Sequence, residues 1–134
     1  MRDIETREDI ELIVNSFYEK AFEDETIGYL FKDVARLDLT THIPIITDFW
    51  EMILLGTVNF QSKYGRSPMM KHIELNAKEP LVSEHFRRWL KLFYQTVDNL
   101  FAGETADLAK YRAAAIANSM FMRVSGADRL GPIS

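Results

Sequence analysis

The sequence predicts an all-α fold, and three features of it carry that prediction. Apolar residues recur at three- and four-residue intervals through four long segments. No stretch alternates apolar with polar residues as a half-buried strand would, and there are no internal repeats. The segments are punctuated by helix signals: Ser or Thr before the apolar pattern begins, and Gly or Pro where it stops.

The first helix is predicted from Thr6, a hydroxyl N-cap followed by Glu8 and Asp9 in the positive first turn. Ile10, Ile13, Val14, Phe17, Ala21 and Phe22 then form one stripe, with Tyr18 on the same side. Gly28 marks a break before Tyr29-Leu30-Phe31. A second helix is predicted to start at Thr40 or Thr41, because Pro44 lacks an amide proton and belongs in a first turn. Its face is His42, Ile46, Phe49, Trp50, Ile53 and Leu54, and Gly56 stops it. Residues 57–67 read as a loop, and Ser67-Pro68 opens a brief helix through His72 that ends before Pro80. Ser83 opens a longer helix with Phe86, Trp89, Leu90, Phe93, Val97 and Leu100 facing inward, closed by Gly103. Thr105 is expected to cap the last helix, whose stripe is Leu108, Tyr111, Ala115, Ile116, Met120 and Phe121. One domain over residues 1–134 is expected, with a short extension at 1–5 and a frayed tail at 127–134.

Composition narrows the function. With 47% hydrophobic and 27% charged residues the chain has the balance of a soluble globular protein. A net charge of -4 and the lack of a basic stripe argue against nucleic-acid binding. The chain has no cysteine, which excludes disulfides, thiolate catalysis, iron–sulfur clusters and Cys-based zinc sites. No apolar run is long enough to span a membrane, and acids stand near the start where a secretory signal would be apolar, so the expected location is the cytoplasm.

The residues able to carry chemistry are few. His72 is a neutral-imidazole candidate ligand for a metal, set in the apolar turn Pro68-Met69-Met70-Lys71-His72-Ile73-Glu74-Leu75. Tyr18 and Trp89 are amphipathic residues with one polar hydrogen each, and His42 heads the apolar face of the second helix. Each also has a plain structural explanation: a core phenol or indole bonded to a carbonyl, or a histidine half in water. His85 is read as structural, and a His-only site with His42 and His72 lacks any local ligand pair. Phosphate-binding glycine loops, nucleophile elbows and zinc-protease motifs do not occur.

Taken together the pieces are more specific. Phe17-Tyr18-Glu19-Lys20, Gly28-Tyr29-Leu30-Phe31, His42, Phe49-Trp50, Leu54-Leu55-Gly56, Lys71-His72-Ile73-Glu74-Leu75 and Trp89-Leu90-Lys91-Leu92-Phe93 follow one another in a set order. That order resembles the third group of truncated haemoglobins across roughly residues 6–126. The resemblance implies a 2-on-2 helical sandwich around haem b, with His72 as proximal ligand of the iron. It implies Tyr18, Trp89 and His42 on the distal side, and Phe17, Phe31, Ile46, Trp50 and Phe86 against the porphyrin. O2, NO and CO are the implied ligands, with NO dioxygenase or peroxidase-like turnover and an unidentified reductase as further expectations. Pro44, two residues after His42, departs from the family's pattern and bears on the distal placement of His42. The competing reading of the same residues is a cofactor-free helical interaction module, with the aromatics serving as core.

Overall fold

The structure is a computed structural model that describes residues 1–57 and 79–125. Four long helices dominate it: α1 (Arg7–Phe22), α2 (Leu39–Leu55), α3 (Ser83–Leu100) and α4 (Glu104–Ser125). A π-helical turn, Leu30–Val34, lies between α1 and α2. Among the described residues there is no strand. Helix α1 packs on α2 and on α3, α3 packs on α4, and α2 touches α4, so one helix pair faces another. Ile10, Phe17 and Ala21 of α1 meet Leu90, Phe93 and Val97 of α3 in the core, and all six are at most 3% exposed. Burying such a side chain contributes about 1.5–3 kcal/mol for each large apolar residue.

The helix ends follow from local chemistry. Thr6 and Asp9 form a capping box in which each side chain accepts from the other's backbone N–H. Helix α2 begins earlier than Pro44 led us to expect. Asp38 caps it by accepting from the Thr40 N–H at 3.1 Å, so Leu39 is the first helical residue and Pro44 lies inside the helix. A good N-cap and an apolar inner face outweigh the one backbone hydrogen bond that the proline removes. At the other end Gly56, with φ 69°, takes the left-handed conformation that closes a helix without a Cβ penalty.

Helix α4 corrects the sequence reading twice. Thr105 does not cap it. The cap comes from Asp3, about a hundred residues away, whose Oδ2 accepts from Thr105 N–H at 2.9 Å and Oδ1 from Ala106 N–H at 2.8 Å. Gly103 lets the carboxylate approach: a Cβ there would lie 2.5 Å from the Asp3 Cγ, on a backbone already at φ 143°. The first residues thus act as a strap. Arg2 accepts from the Ala102 N–H through its carbonyl, its guanidinium stands 5.4 Å from the Phe101 ring and pairs with Asp9, and Ile4 is 2% exposed. The inner face of α4 is also rotated from expectation. Ala106, Ala109, Ala113, Ala117 and Met120 are buried, whereas Leu108 and Tyr111 face outward. Small residues permit close approach of α3, and the gain in packing outweighs hiding the larger side chains.

Two charged links hold the elements that bear the site. Arg7 Nη1 on α1 meets Asp48 Oδ1 at 2.5 Å and Glu51 Oε1 at 2.7 Å on α2, and Glu51 also accepts from the Thr57 hydroxyl. Arg88 on α3 donates to Asp24 Oδ1 at 2.7 Å, just past the end of α1. Both acceptor groups are largely buried, so losing either partner would strand a charge. The expected short helix at Pro68, His72 within it, and the tail at 127–134 lie outside the described residues.

Candidate functional site

Three helices aim side chains at one point between them. Val14, Phe17 and Tyr18 come from α1, Ile46 and Trp50 from α2, and Trp89 and Phe93 from α3. Within each helix the partners fall within about one turn, which keeps them on one side. Together they enclose a cavity of about 20 Å³. That volume suits one molecule of about the size of water.

The walls are mostly aromatic. Trp89 and Phe93 stack at 5.6 Å between centroids and 14° between planes, and Phe93 stacks on Trp50 at 4.8 Å and 21°. Phe17 sets its edge against Trp89 at 5.8 Å and against Tyr18 at 5.2 Å. Phe31, from the π-helical turn, stacks on Phe22 at 5.7 Å and stands edge-on to Tyr18 at 5.8 Å. Offset and edge-to-face rings lock one another's rotamers, so the wall is rigid.

Into this apolar lining the sequence places one buried hydroxyl. The Tyr18 oxygen is 2.8 Å from His42 Nε2, and the two rings are edge-on at 5.3 Å. Burial pushes the Tyr18 phenol well above its ordinary range, so it keeps its proton at neutral pH. Two proton arrangements satisfy the contact. If Tyr18 donates to Nε2, its proton is used. If the Nε2–H tautomer of His42 donates to the phenol oxygen, the phenol proton is free to turn into the cavity. His42 therefore governs what Tyr18 can offer there. The fourth residue of α2, His42 is half-buried and reaches from the surface to the interior.

Most of the expected site residues gather here. Tyr18, Trp89, Phe17, Ile46 and Trp50 line the cavity, while His42 and Phe31 stand behind Tyr18. Phe86 stands apart: it is buried against Phe121 of α4, with ring centroids 5.7 Å apart. His72 lies outside the described residues. Val14 and Phe93 were read only as core positions. The signal that marks them is register, since Val14 precedes Tyr18 by four and Phe93 follows Trp89 by four. His85 is held structurally, accepting at Nδ1 from the Val82 N–H at 3.1 Å and meeting the Tyr29 hydroxyl through Nε2 at 3.1 Å. Among the described residues no three His, Asp or Glu side chains converge in a metal-holding group, and no helix is long and apolar enough to cross a membrane.

Comparison with known proteins sets this arrangement in context. A group 3 truncated hemoglobin of Campylobacter jejuni is 30% identical over 115 residues, spanning 84% of this chain and 85% of that protein. The crystal structure of a group III truncated hemoglobin from Campylobacter jejuni superposes with a TM-score of 0.78 at 26% identity, covering 92% of this chain and 95% of that one. No protein-family model matches the chain.

Proposed function

The chain belongs to the group 3 truncated haemoglobins and has their all-helical fold, and from that premise we propose that it binds haem b and takes O2 into the cavity beside Tyr18. The observation that carries this reading is the convergence of Tyr18 and Trp89, two hydrogen-bond donors, on an aromatic-walled space of about 20 Å³. Voids of this size occur in ordinary cores too, so it is the two donors beside it that favour a polar diatomic ligand.

The residues fit the group. Phe17, Ile46 and Trp50 would give the apolar, water-excluding wall that a porphyrin needs, and His72 is the residue that we propose would hold its iron. Haem, when bound, supplies an iron with an open position for a diatomic ligand. The chain's own residues decide what happens to that ligand. Tyr18 would donate to it when His42 holds the phenol oxygen from behind, and the Trp89 indole N–H would be the second donor. Such bonds favour a polarised ligand such as O2 over CO, which carries little charge to stabilise. NO, also diatomic, fits the same space. We further assign slow O2 release to this pair of donors, which suits capture and turnover of O2, NO or peroxide better than delivery. Such turnover consumes electrons, so a separate reductase belongs to the same proposal.

The test is spectroscopic. Full-length protein mixed with haem should develop an intense Soret band and keep it through gel filtration. His72→Ala should lose it, while His85→Ala should keep it. A wild-type chain that never retains haem would overturn the reading in favour of an interaction module.

A further inference from the structure

Helix α4 leaves some apolar side chains on the side away from the core. Its buried face is built from alanines and Met120, with Ile116, Phe121 and Val124 packed beside it, whereas Leu108 is 38%, Tyr111 71% and Met122 43% exposed, and Ala115 between them is exposed as well. At about 100° per residue these four fall within a narrow arc about four turns long, with the polar Asn118 and Ser119 at its edges between Ala115 and Met122. A lone exposed leucine means little, but several apolar residues sharing one helix face mark a contact.

We propose that this stripe joins two copies of the chain, with α4 of one lying antiparallel along α4 of the other about a two-fold axis. Two features select a second copy as the occupant. First, the stripe is its own complement. Leu108 stands seven residues before Ala115 and Met122 seven after it, so reversing the helix sets Leu108 of each copy opposite Met122 of the other. The small Ala115 then lies at the crossing, where two backbones come closest, and the contact is isologous. Second, the charges match in that orientation alone. The first turn is acidic, with Glu104 and Asp107, and the last turn is basic, with Arg123. Antiparallel packing brings Glu104, which shares the azimuth of Met122, within about one turn of the other copy's Arg123 and opposes the helix dipoles, whereas parallel packing sets like beside like; Asp107, on the other flank, faces Lys110 of its own helix. Tyr111 flanks the axis and supplies a large rigid contact at low entropic cost.

One helix face offers less than the about 800 Å² per partner of a standard interface. The dimer is therefore weak and concentration-dependent. Sedimentation of the full chain across a dilution series should show a mass rising from 15.6 kDa toward twice that value. Ala115→Arg places two like charges at the crossing and should weaken association at least about tenfold, with helical circular dichroism unchanged. Arg123→Glu should weaken it similarly, and adding Glu104→Arg to that variant should bring it back to within a few-fold of wild type. A mass fixed at the monomer value throughout would overturn the proposal. So would a dimer indifferent to Ala115→Arg and Arg123→Glu. Dimerisation that emerges only when residues 126–134 are removed would assign the stripe to the tail and overturn it too.

Discussion

Tyr18 concentrates most of the site's chemistry in a single oxygen. It is fully enclosed, its proton is retained by burial, and its partner is an imidazole whose tautomer sets which way that proton points. On the proposed reading, replacing it would remove one hydrogen bond to a polarised ligand, worth about 1.5–3 kcal/mol. Tyr18→Phe should therefore speed O2 dissociation roughly 10- to 100-fold, since about 1.4 kcal/mol is a factor of ten. Stopped-flow ligand displacement measures this directly, and an unchanged off-rate would remove Tyr18 from the binding role. That Phe17 and Tyr18 lie on one side of their helix could be read from the sequence, as could the one-turn step from Trp89 to Phe93. The partnership of Tyr18 with His42 could not, because it crosses 24 positions and depends on how two helices lie against each other.

Elements show the same divide. The boundaries of α1 and α3 follow from their caps and apolar periods, since both signals are local. The start of α2 is different: Pro44 alone pointed to Thr40 or Thr41, and the Asp38 cap moved the first helical residue to Leu39, one or two residues earlier. For α4 the local pattern misled. Its cap is delivered by Asp3 through space, and its buried face was chosen by what lets α3 approach rather than by side-chain size. Asp3→Ala should cost about 0.5–2 kcal/mol, the usual worth of an N-cap. Urea denaturation should record the loss, and Asp3→Asn should recover much of it; a midpoint unmoved by Asp3→Ala would show that α4 needs no such cap.

At the scale of the molecule, ion pairs between elements make stability depend on acidity. The Arg2 guanidinium holds the Asp9 carboxyl far below its ordinary value of 3.8. The Thr57 hydroxyl, then Arg7, lower Glu51 from 4.5, and for Asp24 burial pushes upward but Arg88 and two backbone N–H groups outweigh it. A carboxyl with a depressed folded value stabilises the fold above its unfolded value and loses that contribution as pH falls toward the folded one. His85 acts with the same sign. Burial lowers it from 6.5, and its protonation would also take Nδ1 away from the Val82 N–H. The urea midpoint should thus be flat near neutral pH, dip slightly below about 6.5, and fall steeply below about 4. His85→Asn should remove the first dip and leave the second. A midpoint that rose on acidification would contradict these assignments.

The sequence by itself determined the helical class, the order of the elements and the stock of aromatic and donor residues, because period and capping act over a few neighbouring positions. It also carried the family resemblance, which the relatives bear out. Tertiary structure alone decided that Val14 and Phe93 join Tyr18 and Trp89 around one cavity, that His42 stands behind Tyr18, and that the first residues cap the last helix. Each of these joins residues distant in the chain, and only the angle and register of packed helices bring such residues within bonding reach.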